Sequence, residues 1–172
     1  MTERRATRHV IVMGVSGCGK STVGALLGER LGVPFFDGDD FHPPENVAAM
    51  RSGRPLTDDD RWPWLAELAS WLADREAEGR SSVMSCSALR RAHRDVLRTG
   101  APEVLFVHLD GPAEVIAGRV AARTGHFMPP SLLDSQVATL EPLAADEEGV
   151  VLDLRAEPGE LAQQAVAWLL RA

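Results

Sequence analysis

The chain has 172 residues, 45% hydrophobic and 25% charged, enough to bury one core without staples and too apolar for a disordered segment. Its net charge of −7, with a pI near 5.2, speaks against a broad nucleic-acid-binding face, so an anionic ligand would need positive partners gathered locally. No apolar run reaches the roughly 20 residues of a membrane span, and the N-terminal residues lack the apolar stretch of a secretory signal. The expectation is a cytoplasmic, single-domain protein over residues 1–172, without membrane or nucleic-acid partners, with Cys18 and Cys86 as free thiols and no zinc site.

Apolar strand-like runs alternate with helical periodicity along the whole length, the pattern of a parallel sheet wound on both faces. The first strand is predicted at His9–Met13 and leads into a helix over Ser21–Leu31 that carries Val23, Leu26, Leu27 and Leu31 on one stripe. Gly32 stops that helix, and a second strand follows at Pro34–Asp37. The acids Asp58, Asp59 and Asp60 precede a helix over Arg61–Glu78 with Trp64, Leu65, Leu68, Trp71 and Leu72 spaced by three and four. Strands are predicted at Ser82–Cys86, Glu103–Leu109 and Val150–Leu154, and helices at Pro112–Arg123 and Glu160–Leu170. The four tryptophans read as core or interface anchors.

Between the first strand and first helix stands Gly14-Val15-Ser16-Gly17-Cys18-Gly19-Lys20-Ser21-Thr22, which matches G-x-x-x-x-G-K-[ST] in the required strand–helix context. Glycines let successive N–H groups turn inward on phosphate oxygens, and the helix N-terminus adds its positive dipole end. Lys20 is expected on the β/γ-phosphates and the Ser21 hydroxyl on Mg²⁺. This is a nucleoside triphosphate site. A GTPase switch would need Asn-Lys-x-Asp, which is absent, and the third strand ends without the acid of a motor or transporter ATPase. A small-molecule kinase remains.

Transfer to an alcohol needs a carboxylate near the acceptor hydroxyl and cations on the phosphoryl group. Asp37 and Asp39 follow the second strand at the carboxyl edge of the sheet and would share a side if the extended conformation continued. The same block also reads as an Asp/Gly-rich turn. Arg119 and Arg123, four apart and followed by Thr124–Pro130, read as a lid over residues 119–135 or, more blandly, as a solvated helix face.

These residues resemble the gluconate kinases, small P-loop kinases of the nucleoside-monophosphate-kinase-like group that includes the shikimate kinases. The resemblance spans residues 9–155. It rests on the phosphate loop, on Asp37-Gly38-Asp39-Asp40-Phe41-His42-Pro43, and on Asp58-Asp59-Asp60-Arg61 with Pro63-Trp64-Leu65. Cys86-Ser87-Ala88-Leu89, Arg94-Asp95, Arg123-x-Gly125-His126-Phe127-Met128 and Ser135-Gln136-x-x-Thr139-Leu140-Glu141 extend it.

The resemblance implies a three-layer α/β P-loop fold with a five-stranded parallel sheet in the order 2-3-1-4-5. It also implies ATP- and Mg²⁺-dependent phosphorylation of the 6-hydroxyl of D-gluconate by a homodimer. In that reading residues 14–22 (Gly14, Val15, Ser16, Gly17, Cys18, Gly19, Lys20, Ser21, Thr22) and Arg119 hold ATP, and Ser21 and Asp37 serve the magnesium shell. Asp39 takes the hydroxyl proton, while His42, Arg61, Ser87, Arg90 and His126 contact the acceptor, and Lys20, Arg119 and Arg123 act on the transferring phosphoryl group. His42 could instead only cap the helix after Pro43-Pro44. The sequence departs from the family at Arg90, where Lys is usual, and at His93, where Tyr is usual. The adenine would lie near Arg155–Pro158. Another small polyol or hydroxy acid, shikimate for example, or a nucleotide switch without transfer chemistry, stays open as an alternative.

Overall fold

The computed structural model describes residues 7–122 and 129–172. Five strands, β1 (His9–Met13), β2 (Phe35–Asp37), β3 (Ser82–Ser85), β4 (Leu105–Asp110) and β5 (Gly149–Asp153), form one sheet in the order β2-β3-β1-β4-β5. Every neighbouring pair is parallel. The expected order therefore holds. Its cause is visible in β1, which is buried along its whole length and sits in the middle. Val10 and Val12 face one helix layer, and Ile11 and Met13 the other.

The first layer brings α1 (Lys20–Leu31), α5 (Ala113–Ala122) and α7 (Pro158–Leu169) against the sheet through Val23, Leu27, Ile116, Leu161 and Leu169. The second is made by α3 (Asp58–Ala77) and α4 (Arg91–Gly100), with Trp64, Leu65, Leu68, Leu72 and Leu97 on Met84 and Phe106. Completing the described helices are α2 (Pro44–Arg51) and α6 (Pro130–Thr139).

Two boundaries differ from expectation for local reasons. The helix predicted from Arg61 begins at Asp58, because Thr57 caps it in a reciprocal box with Asp60 and draws all three acids into the first turn. After β2 the chain does not stay extended; residues Gly38–Phe41 wind into a 3₁₀ turn capped by Asp37. The acids thus do not share a strand face. Instead the Asp39 N–H donates to Asp37 Oδ1 at 2.9 Å. Gly38 is required there, since a Cβ would run into the Ser85 carbonyl of the adjoining strand. Three helices, α2, α4 and α6, were not expected: α6 falls in the segment read as a lid, and α2 and α4 offer few apolar residues. α4 buries His93 and Arg94 beside Leu97, and α2 buries only Asn46 and Ala49.

Candidate active site

At the carboxyl edge of β1 the chain turns through Gly14, whose φ of 145° and close approach to the Leu109 carbonyl (a Cβ would lie 2.8 Å away) leave no room for a side chain. Gly19, in the left-handed conformation, opens α1. The first N–H groups of α1 have no carbonyl one turn back and point toward the loop. Lys20 Nζ donates to the Val15 carbonyl at 3.0 Å, and the Ser21 hydroxyl donates to Asp37 Oδ2 at 3.1 Å. Asp37 is fixed further by the Ser85 hydroxyl on Oδ1 at 3.1 Å. A hydroxyl and one carboxylate converging beside a phosphate loop suit Mg²⁺, which uses few protein oxygens and completes its shell with water and phosphate. Among the described residues no group of three or more His, Cys, Asp or Glu is clustered for a metal.

Next to Lys20 opens a cavity of about 270 Å³ lined by Asp39, His42, Arg61, Ser87 and Gln136 among others. These five come from the 3₁₀ turn and its end, α3, the turn after β3, and α6. Asp39 is 63% exposed by its side chain. Burial pulls its pKa up, but the His42 ring and the Lys20 charge outweigh it, so the carboxyl lies below the usual range. His42 is stacked on Trp64 with centroids 4.0 Å apart, and the indole N–H donates to the Gly38 carbonyl at 2.8 Å. The Pro43 position, not a His42 side chain, caps α2, so the capping alternative is not observed.

Arg61 is 7% exposed and reaches Asp58 at 3.5 Å. Asp58 also meets His93 Nε2 at 3.0 Å and Arg90 Nε at 3.7 Å. Burial would raise the Asp58 pKa, yet the His93 hydrogen bond and the two guanidinium groups hold it low. The Arg90 N–H donates to His93 Nδ1 at 3.2 Å, so the proton of a neutral ring sits on Nε2, facing Asp58. His93, in the place usually taken by Tyr, keeps a hydrogen-bonding tip.

A fully buried ion pair lies behind the turn after β3. Arg94 donates to Glu147 through Nε at 2.6 Å and Nη2 at 3.0 Å, and through Nη1 to the Ala88 carbonyl at 2.8 Å. Arg98 donates to Glu147 at 2.6 Å. Burial works against the Glu147 charge, but these two arginines bring its pKa down to about 2. The turn they hold contains Ala88 at φ 45°, a left-handed non-glycine residue between Ser87 and Leu89. The Ser87 carbonyl in turn accepts from the Gly14 N–H at 3.3 Å. Gln136 closes the other side, accepting from the Ser16 N–H at 2.7 Å and donating to the Ser16 hydroxyl at 3.0 Å.

The shikimate kinase family model matches residues 16–168. The gluconokinase of Gluconobacter oxydans (strain 621H) is 49% identical over 144 residues, covering 84% of this chain and 80% of its own. The solved structure of a gluconokinase from Sinorhizobium meliloti 1021 is 48% identical and superposes with a TM-score of 0.88 over 97% of this chain and 94% of the other. The chain belongs to the gluconokinase family. An unliganded sugar kinase from Janibacter sp. HTCC2649 is also similar, at 58% identity and a TM-score of 0.91 over 95% of this chain and 94% of that one.

For this member of the gluconokinase family, the expected residues divide in three. Lys20, Ser21, Asp37, Asp39, His42, Arg61 and Ser87 are brought together around or beside one cavity. Arg119 and Arg90 are not among that cavity's lining residues. Arg119 donates to the Leu154 carbonyl at 2.5 Å and lines a second cavity of about 300 Å³ with Gly17, Cys18, Thr22, Ala156 and Pro158. Arg90, 44% exposed, faces Asp58. Arg123 and His126, with the centre of the expected lid, lie outside the described residues. Given no part in the site by the sequence were Arg94, Glu147, Asn46, Asp58 and Gln136. Arg94, Asp58 and Gln136 stood inside the motifs, but nothing in their spacing marks the partner each finds in the fold.

Proposed function

We propose that this chain transfers the terminal phosphoryl group of ATP to the 6-hydroxyl of D-gluconate, giving 6-phospho-D-gluconate and ADP. The observation that carries the reading is the meeting, in one cavity, of the phosphate-loop Lys20, the carboxylate Asp39 and the buried cation Arg61. The phosphate loop and α1 N-terminus would hold the triphosphate, and the cavity by Arg119, Ala156 and Pro158 would take the adenine. Asp39 would accept the proton as the hydroxyl oxygen attacks phosphorus and the bond to the ADP oxygen breaks. A buried guanidinium pairs a carboxylate in a fixed plane, so Arg61 is assigned to the acid end of gluconate, with His42, Ser87 and Arg90 on its polyol side.

Ser21 and Asp37 would hold Mg²⁺, which supplies charge neutralisation on the phosphates. Arg119 and Arg123 are assigned to the phosphoryl side and His126 to the acceptor, through the segment 119–135, within one kinase domain over 1–172. A cytoplasmic homodimer completes the reading, supported by the family resemblance and by the half-buried Trp62, Trp71 and Trp168. No helix among the described residues is long and apolar enough to cross a membrane.

The test is coupled ADP release with Mg·ATP against D-gluconate, shikimate, glycerate and AMP. Turnover with gluconate far above the rest is expected. Turnover with another acceptor would keep the kinase and overturn the acceptor assignment.

A further inference from the structure

Asn46 has no part in the phosphate loop or the acceptor contacts, yet its side chain lies in the core between α2 and α3, with the residue 3% exposed. Its Nδ2 has two neighbours, the backbone carbonyl of Asp60 at 3.0 Å and the Nδ1 of His42 at 3.1 Å. A carbonyl oxygen can only accept. The amide group must therefore present nitrogen, not oxygen, to Asp60, and that settles which way it is turned. The second hydrogen of the same nitrogen then points at His42 Nδ1. That ring atom has to be the bare, accepting one, because a proton on it would face an N–H.

The consequence runs to the far side of the ring. With Nδ1 unprotonated, the single ring proton of a neutral His42 sits on Nε2, which stands 3.6 Å from Asp39 Oδ1. That is longer than a full hydrogen bond and within the looser range of catalytic pairs before substrate arrives. The ring cannot swing to change partners. It is stacked on Trp64 at 18° between planes, its side chain is 3% exposed, and Trp64 is itself tied to the Gly38 carbonyl.

We infer that Asn46 is a positioning residue for the transfer reaction, setting the tautomer of His42 so that the imidazole N–H, and not a lone pair, faces the Asp39 carboxylate. This rests on the reading of Asp39 as the group that takes the acceptor proton. The N–H holds Oδ1 in place and leaves Oδ2 to the incoming hydroxyl. The opposite tautomer would set a lone pair against a carboxylate and push Asp39 away from the acceptor. The chain of cause starts at a main-chain carbonyl of α3, which no side-chain pattern reveals.

The direct test is a long-range ¹H–¹⁵N correlation on protein labelled at histidine, at a pH where the ring is neutral. His42 is expected wholly in the Nε2–H form, and Asn46→Ala should turn it into a mixture. A His42 that carries its proton on Nδ1 in the unsubstituted protein overturns the inference. Asn46→Leu, similar in size but with no donor, should likewise release Nδ1 and give a mixture; a His42 still wholly in the Nε2–H form in both variants overturns the inference too.

Kinetics separate positioning from mere packing. Asn46→Ala should lower kcat about tenfold, a fraction of the roughly 10²–10⁴-fold a placed base supplies, with the KM for ATP within about twofold. His42→Gln offers Asp39 an N–H with no tautomer to choose. In that background Asn46→Ala should cost less than about twofold, whereas equal losses in both backgrounds mean that Asn46 acts by another route. Asp39→Asn is the separate control. If it retains turnover, the base assignment fails while the His42 spectrum and its response to Asn46 remain as described.

Discussion

The two halves of the site are built on different principles. The proposed phosphate half is one contiguous segment, Gly14–Thr22, whose working parts would be main-chain N–H groups and one lysine. Its geometry is local, dictated by glycines, a strand before and a helix after. The acceptor half draws side chains from four separate places: the turn after β2, α3, the turn after β3, and α6. None of those segments defines the cavity alone. What holds them in register is buried polar structure behind the cavity, Arg94 with Glu147 and Asp58 with His93. Damage to the first half should therefore act on nucleotide, and damage to the second on acceptor and turnover.

The sharpest break between the halves is Asp39→Asn. It should reduce kcat by about 10²–10⁴-fold while leaving the affinity for a non-hydrolysable ATP analogue, read by calorimetry, nearly unchanged. A comparable loss of nucleotide affinity would merge the two halves. Next in size is Arg94→Ala, which leaves the buried Glu147 carboxylate with Arg98 as its remaining cationic partner among the described residues and should cost about 3 kcal/mol of stability by denaturant unfolding, the low end for breaking a buried pair. In the folded fraction the KM for gluconate should rise more than that for ATP, since the strained turn at Ser87–Leu89 loses its anchor.

Gln136→Ala probes the seam. Losing its two bonds to Ser16 should cost about 1–2 kcal/mol at most, on the scale of ordinary net hydrogen bonds. The informative quantity is coupling: the ratio of ATP affinities measured with and without gluconate should shrink toward one, because Gln136 touches the phosphate loop and lines the acceptor cavity at once.

The smallest effect concerns β4. Both ring nitrogens of His108 are buried with no hydrogen-bond partner among the described residues, and burial first, then the charges of Arg94 and Lys20, press its pKa below the ordinary value against the pull of Asp110. His9 and His93 are lowered as well, each with burial as the leading cause. A histidine depressed in the folded state stabilises above its unfolded pKa of about 6.5 and loses that contribution as the pH falls. Stability should thus decline on acidification below about 6.5, and His108→Leu should remove part of the decline while raising stability by about 1–2 kcal/mol. Thermal unfolding across pH 5–8 measures both, and an unchanged acid slope in the variant would clear His108 of any share.

Much was legible in the chain itself. Local rules govern phosphate binding: the loop needs particular residues at fixed spacing, and the short apolar runs of β1 and β4 can only be strands covered on both faces. The family came from the further blocks at Asp37–Pro43 and Asp58–Leu65, and the strand order from the resemblance they carry. Asp37 and Asp39 were visible as acids after a strand, but their relation was not, because extended backbone and a 3₁₀ turn place them differently and Gly38 favours the turn only through its contact with β3. α4 hid its role behind a charged composition; Arg94 looks like a solvated residue until Glu147, 53 positions away, meets it in the core.

The amino-acid sequence determined the phosphate loop and the fold that presents it, because main-chain amides and glycines act over nine neighbouring residues. Only the tertiary structure decided how the acceptor cavity is aimed. The tautomer of His42 and the seam at Gln136 depend on which groups far along the chain helix packing brings within hydrogen-bond reach.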